Sequence, residues 1–183
     1  MTTTFPDSYY KKVINSLLTQ KDVIDAKGPE VVLTHTLELL SHFLNLNNGR
    51  VFLWDTQSAN LVIRYSHGLS EQQINMGKYE VSEGITGKAF GTGHPVLVKN
   101  IYTEPCFMGK VTSLSAEDKR LKSYIAIPIR HEEQDFGVLA IDCNNSNDGD
   151  IEAYALVLKL VSEMFGEIIH KHELNEFDLY SAA

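Results

Sequence analysis

Long apolar runs are missing from this 183-residue chain: no stretch approaches the ~20 residues of a membrane-spanning helix, so no bilayer partner is expected. Cysteine is scarce. Cys106 and Cys143 are too few for a disulfide framework or a zinc finger and do not form a Cys-x-x-Cys pair. The simplest reading is two inert, space-filling thiols. Basic charge is also short, with 16 Lys and Arg against 24 Asp and Glu, a net charge of -8 and an isoelectric point near 5.3. Only Lys11-Lys12 and Lys119–Lys122 cluster, each near balancing acids. Such a field repels a phosphate backbone, which argues against direct nucleic-acid binding. The opening Met1–Phe5 carries no basic, apolar leader, so the cytoplasm is the expected compartment.

Catalytic signatures are missing as well. Gly84-Ile-Thr-Gly-Lys88 suggests a phosphate loop, but Ser82 stands where its first glycine belongs and Ala89 where a metal-holding hydroxyl belongs. Gly91 and Gly93 do not complete a dinucleotide fingerprint, because Val96 replaces the last glycine. There is no Gly-x-Ser-x-Gly elbow and no His-Glu-x-x-His helix. His170 and His172 diverge by about 200° on a helix, and His35 and His42 lie roughly 10 Å apart along one. No metal site and no catalytic residue is expected.

What is present reads as one domain. Thr4 to Asp7 starts a helix whose apolar positions Tyr10, Val13, Ile14, Leu17 and Leu18 follow helical spacing. Asp25 to Pro29 breaks it, and Pro29 suits the first turn of a second helix to about Leu46. Val51–Trp54 and Leu61–Tyr65 form a hairpin around a polar turn. A short helix at Leu69–Ile74, an extended piece at Lys78–Val81, a glycine-bracketed helix within Ser82–Gly93 and a strand at Pro95–Lys99 follow. The mixed stretch from Asn100 to Lys122 holds a helical turn near Ala116–Leu121. Ser123–Arg130 and Phe136–Cys143 are apolar at successive positions, which predicts strands covered on both faces. After a polar turn at Asn144–Asp150, a final helix runs from Ile151 to His172 or beyond, with a second apolar stripe at Val157, Leu160 and Met164. The class is α+β, a sheet layered between helices. Asp142 is the odd residue in its strand: it either pairs at the strand end or projects into a pocket to fix a ligand.

The run Val81-Ser-Glu-Gly-Ile-Thr-Gly-Lys-Ala-Phe-Gly-Thr-Gly-His-Pro-Val-Leu-Val98 resembles the central signature of GAF domains. Ser123–Ile129 followed by Phe136–Asp142 resembles their closing hairpin. With Asn100–Phe107 after it, the signature is similar to the N-terminal GAF domains of σ54-dependent transcription activators of the NifA type. The resemblance covers about Pro29 to His172 and implies an antiparallel sheet of about six strands, terminal helices on one face, and short helices with a long loop over the other. It also implies a small-molecule sensor that controls an AAA+ ATPase. No AAA+ or helix-turn-helix segment is present, so an isolated input domain or a stand-alone relative is expected.

Carried over by position, the family's pocket points to Thr86, Lys88 and Phe90 of the central helix, Phe107 and Met108 of the loop, and strand residues Tyr65, Tyr124 and Asp142. The free N–H groups of a helix start near Ser82–Thr86 suit a small polar or anionic ligand, whose identity the sequence leaves unnamed. The surplus apolar surface of the last helix (about 150–175), and that of the helix at 4–24, predict a homodimer through Val13, Leu17, Leu158, Val161, Phe165 and Ile168. Two other readings stay open: a thiol-dependent reductase of the free methionine sulfoxide type with Cys106 as nucleophile, and a ligand-free dimerisation scaffold.

Overall fold

The computed structural model describes residues 28–44, 48–111, 115, 117, 122–144 and 151–181, with backbone only at 43, 144 and 174–181. The expected first helix, with Val13 and Leu17, and the turn after Asn144 lie outside the described residues, as does most of the helical turn near 116–121. In chain order the elements are α1 (Pro29–Leu44), β1 (Asn48–Asp55), β2 (Asn60–His67), α2 (Glu71–Met76) and β3 (Lys78–Tyr79). Then come α3 (Gly84–Thr92), β4 (Val96–Val98), β5 (Lys122–His131), β6 (Gln134–Asn144) and α4 (Ile151–Ser181). Among the described residues, six strands make one sheet in the order β3-β2-β1-β6-β5-β4, and every neighbouring pair is antiparallel. No described helix is long and apolar enough to cross a membrane.

Alternation along the central strands sends side chains to two separate cores. Val51, Ile125, Ile127, Ile129, Leu139 and Ile141 face α1 and α4. Phe52, Tyr124, Ala126, Val138 and Ala140 face α3 and the loop beyond β4. This double cover explains why β5 and β6 read as apolar at successive positions.

α4 seats on β5 through two residues a turn apart. Ser162 Oγ donates to the Pro128 carbonyl at 2.6 Å, and a Cβ at Gly166 would stand 2.2 Å from the Arg130 carbonyl oxygen. Leu158, Val161, Phe165 and Ile168 are buried in this helix-side core, which corrects their expected place in a seam between copies. The helix needs that stripe to cover its own sheet. Among the described side chains of α4, the large apolar ones left outward are Leu156 and Leu160, 64% and 48% exposed.

Candidate functional site

The signature loop folds tightly before α3. Ser82 and Gly84 both take positive φ, 68° and 62°, and the Ser82 N–H donates forward to the Gly87 carbonyl at 2.9 Å. A Cβ at Gly87 would lie 2.2 Å from the Glu80 carbonyl oxygen, so glycine is what lets the turn close on the helix. Glu83 occupies the N-cap position without capping α3 through its side chain. That carboxylate instead accepts from the Glu80 N–H at 2.9 Å and from Lys110 Nζ at 2.6 Å. The Lys110 bond, with the backbone bond behind it, holds the Glu83 pKa below the usual carboxylate range.

Lys110 ties the loop down over the sheet. Its ammonium also donates to the Lys78 carbonyl at 2.9 Å and sits 4.8 Å from the centre of the Tyr79 ring. Beneath the loop is a small cavity with free space for about one water molecule. Its floor is Arg50 and Tyr124 of the sheet, with Tyr79 at the side, Ile85 and Thr86 from the first turn of α3, and Phe107, Met108, Gly109 and Val111 as the cover.

Polar chemistry at the floor centres on Arg50. Its guanidinium forms a buried ion pair with Asp142, with side-chain exposures of 3% and 4%. Asn48 Nδ2 donates to the same carboxylate at 3.3 Å. Burial works against the Arg50 charge, but Asp142 and the surrounding hydroxyls more than offset it, and the guanidinium pKa lies above its ordinary value. The guanidinium carbon stands 5.5 Å from the centre of the Tyr124 ring, while Nε is buried with no hydrogen-bond partner. Tyr124 exchanges a 2.9 Å hydrogen bond with Thr86, and Phe107 meets its ring edge-on at 5.6 Å. Burial raises the pKa of both Tyr124 and Tyr79, so both phenols stay protonated at neutral pH.

Of the residues carried over as pocket residues, Thr86, Phe107, Met108 and Tyr124 line this cavity. Asp142 lies behind Arg50 as its counter-ion rather than in the lining. Lys88 is exposed on α3, and Phe90 stacks on Trp54 with ring centres 5.3 Å apart. Tyr65 packs on the helix side. A β-bulge at Val51/Phe52 pairs Val51 with Tyr65 and Phe52 with Ile63, so residues two apart on β2 face opposite cores. Arg50, at the centre of the site, is absent from that set. Its signal was the unpaired carboxylate of Asp142, which needs a buried cation, and a lone Arg stands at the head of the first strand.

The two thiols lie on different sides of the sheet system. Cys106 is exposed on the loop and outside the cavity lining, with its N–H bonded to Glu104 Oε1 at 3.1 Å. Cys143 is buried in the helix-side core, and burial, reinforced by Asp142, pushes its thiol up to about 12. Among the described residues no cluster of His, Cys, Asp and Glu has the makings of a metal site.

Comparison with known proteins agrees with this architecture. The GAF domain family model matches residues 28–165. The Nif-specific regulatory protein of Herbaspirillum seropedicae is 27% identical over 157 residues, covering 84% of this chain and 29% of that protein. The nitrogen fixation protein AnfA of Azotobacter vinelandii is 25% identical over 146 residues, covering 80% of this chain and 27% of its own length. The chain thus spans under a third of these curated relatives. Among solved structures, the A. aeolicus nlh2 GAF domain in an inactive state superposes with TM-score 0.74 at 21% identity, over 90% of this chain and 97% of that one. The free methionine-R-sulfoxide reductase of Neisseria meningitidis, solved with its substrate, gives TM-score 0.73 at 22% identity, over 91% and 93% of the two chains. At these identities the structural likeness speaks to fold alone.

Proposed function

Because the chain belongs to the GAF domain family, we propose that it is a small-molecule-sensing regulatory domain of the kind found in Nif-specific transcription activators. One observation carries the reading: the family match spans most of the chain, and several curated relatives are named Nif-specific regulatory proteins. The proposed output is an AAA+ ATPase segment of such an activator, and the proposed compartment is the cytoplasm. The sensing site is the cavity between Arg50, Thr86, Tyr124 and the Phe107–Val111 loop, which admits a ligand larger than water when the loop lifts. α4 carries the change outward, since it packs on β5, the strand that holds Tyr124. Two copies meet through the outward stripe of α4, at Leu156 and Leu160.

The reading is non-catalytic. A thiol reductase would require a thiolate at the cavity, and Cys106 stands outside its lining. A thermal-shift screen of the whole chain against small metabolites tests the sensor. A ligand at 100 times its dissociation constant stabilises by about 2.7 kcal/mol, which is readily seen. Turnover of free methionine sulfoxide that disappears in Cys106→Ser would overturn the reading in favour of the enzyme.

A further inference from the structure

We propose that His131 and His170 form an acid-sensitive clasp, which holds the end of α4 to the β5–β6 hairpin and releases it when both imidazoles are charged. The clasp works whatever the cavity binds. α4 meets the hairpin about once per turn. Ser162 Oγ bonds the Pro128 carbonyl, Gly166 abuts the Arg130 carbonyl, the His170 ring lies against the His131 ring, and Glu173 accepts from Gln134 Nε2 at 3.3 Å. The first two contacts are seats on the hairpin backbone. The third is a pair of rings whose centres stand 4.7 Å apart and whose planes lie 30° from parallel, with the Phe136 ring 6.1 Å from that of His170.

Imidazole is the side chain that ordinarily changes charge between about pH 5 and 8. Neutral rings pack against each other, but two imidazolium rings at this separation repel, so the closed pair takes up fewer protons than the separated one. Among the described residues neither ring has an ion-paired carboxylate. On the hairpin, Asp135 pairs with Arg130, itself a cation, and Glu132 and Glu133 are exposed at the turn, where water and salt screen them. On α4, Glu167 pairs with Lys171 at 2.6 Å, Glu173 is held by Gln134, and His172 lies about 200° round the helix from His170. On α1, which also packs on α4, His35 and Glu38 bond each other at 3.2 Å, while Glu30 and His42 are exposed. Both clasp histidines are only partly buried, so protons reach them without unfolding. Because the released form binds more protons, the hold on α4 weakens as pH falls through the imidazole range. The seats at Ser162 and Gly166 carry no titrating group and remain.

Amide hydrogen exchange of the whole chain tests the clasp at about pH 7.5 and about pH 5.5, either side of the ordinary imidazole value near 6.5, with intrinsic rates corrected for pH. Peptides over 131–136 and 167–173 are expected to lose about tenfold in protection, the change that one proton preferring the released form produces per pH unit. Peptides over 158–163 are expected to hold. His131→Phe and His170→Phe each keep a ring in the contact and remove one charge, so each is expected to abolish the difference, while His172→Phe retains it. Equal protection at the two pH values in wild type overturns the proposal. A loss that persists in either of the first two variants, or that spreads evenly over the chain, overturns it as well. None of these outcomes bears on a metabolite thermal shift, so the clasp and the sensor fail separately.

Discussion

Arg50 and Asp142 are two charges held out of water in the middle of a sheet, where each makes the other tolerable. Removing one partner leaves the other buried and uncompensated. Asp142→Ala is therefore expected to cost about 3–5 kcal/mol in urea unfolding. The double replacement Arg50→Met with Asp142→Leu should cost clearly less, because no charge is left stranded. Strict additivity of the two single variants would refute the coupling. Cys143 supports a second test at this scale. Its folded thiol is raised to about 12 while the unfolded thiol keeps its ordinary value near 8.5. A raised pKa gives a contribution fully present below the unfolded value and lost as pH climbs toward the folded one. Stability should fall as pH rises from about 8.5 toward 12, and more steeply than in Cys143→Ala. Iodoacetamide at neutral pH should label Cys106 in the native protein and reach Cys143 on unfolding alone.

Two elements owe their seating to particular residues. α4 lies close on β5 because Gly166 offers no side chain against the Arg130 carbonyl. Gly166→Ala must push the helix outward and break the Ser162–Pro128 bond one turn away, for a loss of about 1–3 kcal/mol. A stability equal to wild type would show that the close approach relaxes at no cost. The cover loop depends on Lys110, which reaches Lys78, Glu83 and the Tyr79 ring. Lys110→Met keeps the stem and removes the charge, so amide exchange in Phe107–Val111 should quicken with global stability nearly unchanged, given the small worth of part-exposed pairs. Because the Glu83 pKa is lowered, its contribution is present above the ordinary carboxylate range and lost as pH falls through the folded value. Loop protection should accordingly fade in acid, and do so in wild type but not in Lys110→Met.

At the scale of the molecule, one sheet separates a helix-covered core from a core under α3 and the loop beyond β4, and α4 exposes a stripe that neither core uses. Sedimentation at tens of micromolar is expected to show a dimer, and Leu156→Glu with Leu160→Glu is expected to return a folded monomer. Phe165→Glu does something different: a carboxylate at a fully buried position should prevent folding altogether. A folded, monomeric Phe165→Glu would mean that α4 does not cover its own sheet. A wild-type monomer would remove the association.

Local pattern determined the elements and their class. Apolar period, Pro29 at a helix start, the glycines around Thr86 and the two unbroken apolar strands are properties of neighbouring residues, and the described helices and strands lie within a few residues of where that grammar put them. The signature loop was legible for the same reason, since its glycines answer to a turn built within six residues of chain. The candidate cavity was legible in part: Thr86, Phe107, Met108 and Tyr124, carried over by position in the signature and its flanking segments, all line it. What tertiary structure decided was side and partner. A single bulge moved Tyr65 to the opposite core, because side-chain direction in a strand alternates and one extra residue inverts everything beyond it. The best apolar stripe of α4 went to its own sheet, since the nearest uncovered apolar surface lies within the chain. Arg50 and Asp142 found each other across 92 positions of sequence, a pairing that β-sheet register alone brings about.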